Sequence, residues 1–184
     1  MLRYNMRWVS GSITVAEEIE YICNYVALIN LRYDFSIRLS LRIPDEVMGH
    51  SIPKMSLQPI VENAIEHGLE PDAADAYIYI KAVLDTDACR IEVTDPGRGM
   101  DEAALARLSE RLASARVTEE MEGMGVGLKN VHDRLRLAYG GEFGLTVISR
   151  RGFYTKVIVR LPPCDTAARE GGQEGGQHRY SADS

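Results

Sequence analysis

The sequence is short of cysteine and has no long apolar run. Its 184 residues include three cysteines, Cys23, Cys89 and Cys164, whose wide spacing matches neither a disulfide framework nor a zinc ligand set. No stretch approaches the roughly 20 apolar residues that cross a bilayer, and the first residues lack the apolar region of a signal peptide. We therefore expect a cytoplasmic protein without membrane contact in this chain, or the cytoplasmic part of a membrane-bound receptor.

Acidic residues outnumber basic ones, 27 to 21. The formal net charge is -6 at pH 7, whereas binding to a phosphate backbone without sequence preference needs a basic surface. We therefore expect no nucleic-acid partner. Hydrophobic residues make up 45% of the sequence, which is enough for one sizeable core at this length.

Hydrophobic periodicity predicts an α+β fold. Apolar residues at helical spacing predict helices over residues 14–30, 56–67, 101–115 and 126–139, and a capping box of Thr14 and Glu17 opens the first. Alternating patterns predict strands over residues 36–43, 77–84, 89–95, 144–149 and 154–161, the second and third forming a hairpin. This mixed order predicts a two-layer α/β sandwich, in which about three helices cover one face of a mixed sheet.

Two segments carry few large apolar side chains. Residues 116–125 are polar and bounded by glycine, which predicts a mobile loop. From Cys164 onwards Gly, Gln, Glu, Ser and Asp dominate, and these offer too little apolar surface to offset the entropy of ordering. We expect a disordered tail over residues 164–184.

Asn63 and His67 stand one turn apart in LQPIVENAIEHG, together at the border of the predicted apolar stripe. A border face can line a pocket, and an amide oxygen is a suitable neutral ligand for Mg²⁺ that is shared with substrate phosphates. The same spacing also fits two solvated helix residues.

Asp95 ends a predicted strand in IEVTDPGRGM. Ile91, Val93 and Asp95 share one face, so a carboxylate closes a core-facing row. A buried carboxylate that accepts a hydrogen bond from an exocyclic amine would select adenine, and Gly97 and Gly99 would let the backbone approach a ligand. An Asp-Pro-Gly turn that only ends the strand is the alternative.

GMGVGLKNV places three glycines, Gly123, Gly125 and Gly127, at the start of a predicted helix. Backbone N–H groups and the positive end of the helix dipole make such a turn a site for phosphate. The motif is no P-loop, because GxxxxGKS/T is absent, and it does not follow a strand as a dinucleotide motif does. A flexible hinge loop is the alternative.

Taken in this order, the three motifs resemble the N, G1 and G2 boxes of the Bergerat ATP-binding fold, which gyrase, heat-shock chaperones, histidine kinases and mismatch-repair ATPases share. IPKMSLQPIVENAIEHG and GMGVGLKNVHDRL further resemble the LytS-type branch of sensor histidine kinases. The resemblance implies ATP and Mg²⁺ as cofactors, with Asn63 as the metal ligand. It also implies the end of a dimerisation and phosphoacceptor helical region at 1–34, an ATP-binding domain at 35–163, and the tail at 164–184.

The resemblance assigns roles to the motif residues. Asp95 would read adenine, the backbone of Gly97 and Gly99 would contact the nucleotide, and the glycines of the third motif would belong to a lid over the phosphates. The full set implied to bind ATP is Asn63, His67, Asp95, Gly97, Gly99, Met100, Gly123, Gly125, Val126, Gly127, Leu128, Lys129, Asn130 and Thr155.

Three positions depart from related sequences. Hydrolytic members of the superfamily place a general-base Glu one turn before the metal-binding Asn, where this chain has Pro59. A proline cannot take a proton from water, so hydrolysis as the main activity is disfavoured. Pro96 replaces the family's usual Asn, and Tyr154 replaces the Gly normally found before Thr155.

A sensor kinase also needs a phosphoacceptor histidine, which the resemblance places in a box that would precede residue 1. His50, His67, His132 and His178 all lie elsewhere. We therefore expect the catalytic part of a histidine kinase, with little self-phosphorylation by this chain alone. The expected partners are the histidine-bearing segment of a sensor kinase, a downstream response regulator and, through the N-terminal helices, a second copy.

A regulatory module is the competing interpretation. It would bind nucleotide weakly or not at all and would dock a partner through its apolar N-terminal helix. Pro96 favours this interpretation, because proline removes an amide side chain and a backbone donor next to Asp95.

Overall fold

A computed structural model describes residues 11–32, 36–68, 76–114 and 125–164. Some expectations fall outside these residues. They include the role of Gly123, the loop expected at 116–125 except for its last residue, and the tail beyond Cys164.

The described elements are helices and strands in mixed order. In chain order they are β1 Ser12–Thr14, α1 Val15–Arg32, β2 Ile37–Arg42, α2 Asp45–Met48, β3 Ser51–Pro53, α3 Gln58–Asn63, a π-helical turn Ala64–Gly68, β4 Ala76–Leu84, β5 Cys89–Asp95, α4 Glu102–Ala113, α5 Val126–Tyr139, β6 Gly144–Arg150 and β7 Tyr154–Leu161.

A mixed five-stranded sheet forms one layer, with the strand order β2-β4-β5-β7-β6. β2 and β4 run parallel, because the chain between them passes through α2 and α3, and every other neighbouring pair is antiparallel. The expected hairpin is β4–β5, in which Leu84 pairs with Cys89. β1 and β3 form a separate two-stranded antiparallel sheet.

The core lies between the five-stranded sheet and the helices. Alternate strand residues such as Ile80, Ile91 and Val159 are fully buried, and they share one hydrophobic cluster with Leu57 of the segment before α3 and Leu135 of α5. Each such side chain stabilises the fold by roughly 1.5–3 kcal/mol. The predicted α+β two-layer sandwich is therefore confirmed.

α1 begins at the capping box and packs on this same core. The Thr14 N–H donates to Glu17 Oε2 at 2.7 Å, and the Glu17 N–H donates to Thr14 Oγ1 at 3.2 Å. The predicted apolar stripe of α1 is buried in the main cluster from Val15 to Val26. α1 therefore shares one core with the strands, and Cys164 also packs against it.

The short elements differ from the expectation. The helix expected over 56–67 is divided into α3 and the π-helical turn. α2, β1 and β3 were not predicted, because three or four residues are too few to show a periodicity. Leu41 of β2 is 39% exposed despite its apolar pattern, since β2 is an edge strand with a neighbour on one side only.

Candidate functional site

Asp95 ends β5 opposite Thr155 of β7, and its side chain is only 4% exposed. Its Oδ1 atom is buried and has no hydrogen-bond partner among the described residues. Burial raises the pKa of Asp95 to about 6, although backbone N–H groups, that of Gly97 first, oppose the rise. Asp95 is thus mainly ionised at neutral pH and has an unused acceptor.

Two glycines enclose this carboxylate. A Cβ atom on Gly68 would lie 2.3 Å from Asp95 Oδ1, and one on Gly97 would lie 1.8 Å from the Gly68 carbonyl oxygen. The Arg98 N–H donates to that same oxygen at 2.9 Å. The end of the π-helical turn and the turn after β5 therefore interlock so closely that no side chain fits between them.

Gly99 and Met100 continue the turn after β5. Gly99 has a positive φ of 58°, and a Cβ there would lie 2.0 Å from the Arg150 carbonyl oxygen. The Met100 N–H donates to Ser149 Oγ at 2.8 Å, and Ser149 Oγ donates to the Tyr154 carbonyl at 2.9 Å. Ser149 therefore fixes the turn, a role that sequence reasoning missed.

Asn63 is the last residue of α3. Its Nδ2 donates to the Pro59 carbonyl at 2.6 Å, so the amide group is held in one orientation and Oδ1 remains the atom that can accept or coordinate. Pro59 lies one turn earlier at the start of α3 and contributes only its carbonyl here.

A pocket lies between α3, β5, β7 and the start of α5. Seven members of the predicted set line it, namely Asn63, His67, Asp95, Gly99, Met100, Leu128 and Thr155, together with the unpredicted Ile60, Ala64, Gly68, Val93, Leu108 and Val157. Its volume is about 60 Å³, so the pocket is narrow beside the open cleft that borders α5.

The unpredicted lining residues are mostly apolar. Ile60, Val93 and Val157 lie on the predicted core faces of their elements, and periodicity alone does not separate a pocket wall from a core. Gly68 follows its helix as an ordinary terminal glycine would, so nothing local indicated its contact with Asp95.

α5 starts beside Asn63. Gly125, with φ of 100°, precedes α5, and no side chain in the described residues caps its first turn. A Cβ on Gly127 would lie 3.3 Å from Asn63 Nδ2. The first N–H groups of a helix lack intrahelical partners, so this start is suited to an anion. An open cleft of about 1100 Å³ borders Gly127 and Asn130.

The remaining predicted residues lie outside the small pocket. Lys129 forms an ion pair with Asp133 one turn further along α5, and Asn130 lines the open cleft instead. Gly97, Gly125, Val126 and Gly127 also do not line the pocket, although Gly97 and Gly127 touch residues that do. Within the described ranges no group of three His, Cys, Asp or Glu side chains could hold a metal ion.

A family model and curated sequences both match this chain. The family model described as "Histidine kinase-, DNA gyrase B-, and HSP90-like ATPase" matches residues 53–165. The sensor protein kinase HptS of Staphylococcus aureus strain bovine RF122 / ET3-1 is 32% identical over 162 residues, which are 88% of this chain and 30% of that protein, and HptS of strain USA300 gives the same values. The chain thus spans about 30% of the length of these curated relatives.

Solved structures support the fold. The catalytic domain of histidine kinase ThkA matches with a TM-score of 0.59 and 17% identity, covering 83% of this chain and 95% of that one. The histidine kinase domain of the Erythrobacter litoralis EL346 blue-light activated histidine kinase matches with a TM-score of 0.53 and 16% identity, covering 86% and 65%. No helix in the described part of the chain is long and apolar enough to span a membrane.

Proposed function

The chain belongs to the family of histidine kinase-, DNA gyrase B- and HSP90-like ATPases, and from this premise we propose that it is the ATP-binding catalytic part of a sensor histidine kinase. ATP supplies the γ-phosphoryl group, and the acceptor is a histidine outside this chain. Relay to a response regulator and the division at residues 34 and 163 belong to the same proposal. The Bergerat resemblance is confirmed by the family match, whereas the narrower LytS-type assignment stays a prediction.

The unpartnered Oδ1 of Asp95 carries the proposal. It is an ionised acceptor in a narrow, mostly apolar slot, and a buried acceptor left without a donor costs free energy. An exocyclic amine supplies the missing donor, while the apolar walls of Ile60, Val93 and Val157 suit the faces of a purine. The glycines on either side of Asp95 keep the slot free of side chains.

Asn63 and the start of α5 form the other half of the proposed site. The uncapped N–H groups after Gly125 would hold phosphate oxygens. Asn63 Oδ1 would contribute one oxygen to Mg²⁺, whose other ligands come from phosphates and water.

Transfer is favoured over hydrolysis because Pro59 stands where hydrolytic relatives carry the general-base Glu, and a proline side chain cannot take a proton from water. The Pro59 carbonyl is bonded to Asn63 itself. Glu62, the nearest carboxylate in sequence, accepts a hydrogen bond from Gln58 Nε2 at 2.8 Å and does not line the pocket. The chain's own work is then positioning and charge neutralisation.

Isothermal titration of the chain with ATP and Mg²⁺ tests the binding half. We expect Asp95→Asn to weaken binding by about 10- to 100-fold, since a hydrogen bond to a charged group contributes roughly 1.5–3 kcal/mol. Asp87→Asn, the same change in an exposed turn, is the matched control and should bind like wild type. No binding by wild type at millimolar nucleotide would support the partner-docking module instead.

Radiolabelled ATP tests the transfer half. The chain is mixed with a separately produced histidine-bearing segment of a sensor kinase, and we expect label on that segment's histidine and little on the chain itself. Stable label on His50, His67, His132 or His178 would contradict the proposal. Steady release of inorganic phosphate without the segment would support a hydrolytic ATPase.

A further inference from the structure

α3 begins without a cap of its own, because its N-cap residue is Leu57 and no local side chain bonds its first turn. The cap comes from α1. Glu18 is 2% exposed, and its Oε2 accepts from the Leu57 N–H at 2.9 Å and from the Gln58 N–H at 3.3 Å. Its Oε1 accepts from the Met55 N–H. One buried carboxylate therefore replaces the missing cap from far away in sequence.

The first turn of α3 is fully satisfied by this arrangement. Leu57 and Gln58 donate to Glu18, Pro59 has no N–H to place, and the Ile60 N–H donates to the Leu57 carbonyl at 3.0 Å. A carboxylate at the positive end of a helix is also electrostatically favourable. Losing Glu18 would leave the buried Leu57 N–H and the part-buried Gln58 N–H unpaired, since no other described side chain bonds them.

The segment before α3 is strained and held from two sides. Met55 is a non-glycine residue with φ of 62°, a conformation that persists only when the surroundings enforce it. Glu18 binds its N–H from α1, and Arg134 Nη1 of α5 donates to its carbonyl at 3.1 Å. The entry to α3 is thus a junction of three helices.

α3 is short, so its first turn fixes its last residue. Gln58–Asn63 spans six residues, and the Asn63 side chain is bonded back to Pro59 in the first turn. A shift of the first turn therefore carries Asn63 with it, and with Asn63 the oxygen assigned to the metal.

We propose that Glu18 is a positioning residue for the nucleotide site, and that through it the position of α1 sets the placement of Asn63. The expected effect of Glu18 on ATP binding rests on the proposed function, whereas the geometry that links Glu18 to Asn63 does not. Glu18 touches neither pocket nor ligand, and its influence passes through the backbone of α3.

The test compares Glu18→Gln with Glu20→Gln, the same change at an exposed position of α1. Affinity for ATP is titrated with Mg²⁺ and again with EDTA. We expect Glu18→Gln to weaken binding roughly tenfold with Mg²⁺ and distinctly less with EDTA, because Asn63 acts on the metal. A merely structural role would lower the melting temperature and the bound stoichiometry and leave the ratio of the two affinities unchanged, which would overturn the proposal.

A second measurement needs no nucleotide. In two-dimensional NMR spectra, Glu18→Gln should shift the Asn63 side-chain amide resonances and speed amide exchange at Met55, Leu57 and Gln58, with α4 unaffected. Unmoved Asn63 resonances would overturn the inference even if wild type binds ATP. Moved resonances without any ATP binding would sustain it while the proposed function fails. If Glu18→Gln does not fold, Glu18→Asp keeps the charge, shortens its reach and takes its place in both measurements.

Discussion

The two ends of the candidate site are built in opposite ways. Around Asp95 the backbone is packed so tightly that a single Cβ on Gly97 would overlap the Gly68 carbonyl, and one carboxylate oxygen has no donor in the described part of the chain. At the start of α5 no described side chain caps the first turn, and an open cleft of about 1100 Å³ lies alongside.

The contrast extends to the helices. α3 and α5 both start without a local side-chain cap. The first N–H groups of α3 donate to Glu18, whereas no carboxylate of the described residues accepts from the first N–H groups of α5. A flat base is selected by one fixed acceptor in a shaped slot, while a flexible phosphate chain needs donors and room. α3 thus receives its anion from α1, whereas the first N–H groups of α5 are left for the proposed phosphates.

Replacing one glycine at each end by alanine should give the largest difference in stability between the two ends. Gly97→Ala should lower the free energy of unfolding by roughly 4 kcal/mol or more, because its Cβ would meet backbone at 1.8 Å. Gly127→Ala should change it by no more than about 1 kcal/mol, since its Cβ would meet only side-chain atoms, the Asn63 amide at 3.3 Å and Pro59 Cβ at 3.9 Å. Urea denaturation measures both, and equal losses would show that the ends are equally rigid.

Acidification should act on the Asp95 end, and adenosine reports that end without phosphates, which themselves titrate near pH 6. With a pKa near 6 in the free protein, Asp95 is protonated as the pH falls through 6, and the ionised acceptor for the amine is lost. Adenosine affinity should therefore be constant above about pH 7 and fall below about pH 6. Titrations between pH 5 and 8 check this, and Asp95→Asn should show a flat profile. An equal pH dependence of affinity in wild type and Asp95→Asn would show that a group other than Asp95 titrates.

Protonation of Asp95 should stabilise the fold, although it should weaken ligand binding. Its pKa is raised from 3.8 to about 6 on folding, so the cost of the buried charge is present above pH 6 and is relieved as the pH falls from there toward 3.8. At pH 8, Asp95→Asn should stabilise the fold by at most about 3 kcal/mol. Below pH 4 the gain should vanish. Thermal melts across this range measure it, and a destabilised Asp95→Asn at pH 8 would contradict the assignment.

The sequence predicted the elements of this site better than the contacts between them. α5 was predicted with the bounds that the structure has, and Asp95 was placed at the end of a core-facing row, because local periodicity carries both signals. Glu18 was not singled out by the sequence patterns. Its partners lie 37 to 40 residues away in sequence, and no local pattern indicates such a bond.

Val126→Asp would make α5 begin as α3 does, with a carboxylate at its first turn. A fixed negative charge there should repel phosphates, so ATP affinity should fall roughly tenfold while the free energy of unfolding changes by about 1 kcal/mol or less. Adenosine, which would contact only the Asp95 end, should bind as to wild type. Val126→Asn, of similar shape without the charge, is the matched control. If Val126→Asp weakens the binding of adenosine and ATP equally, the start of α5 is not where the phosphates bind. The same follows if Val126→Asn weakens ATP binding as much as Val126→Asp does.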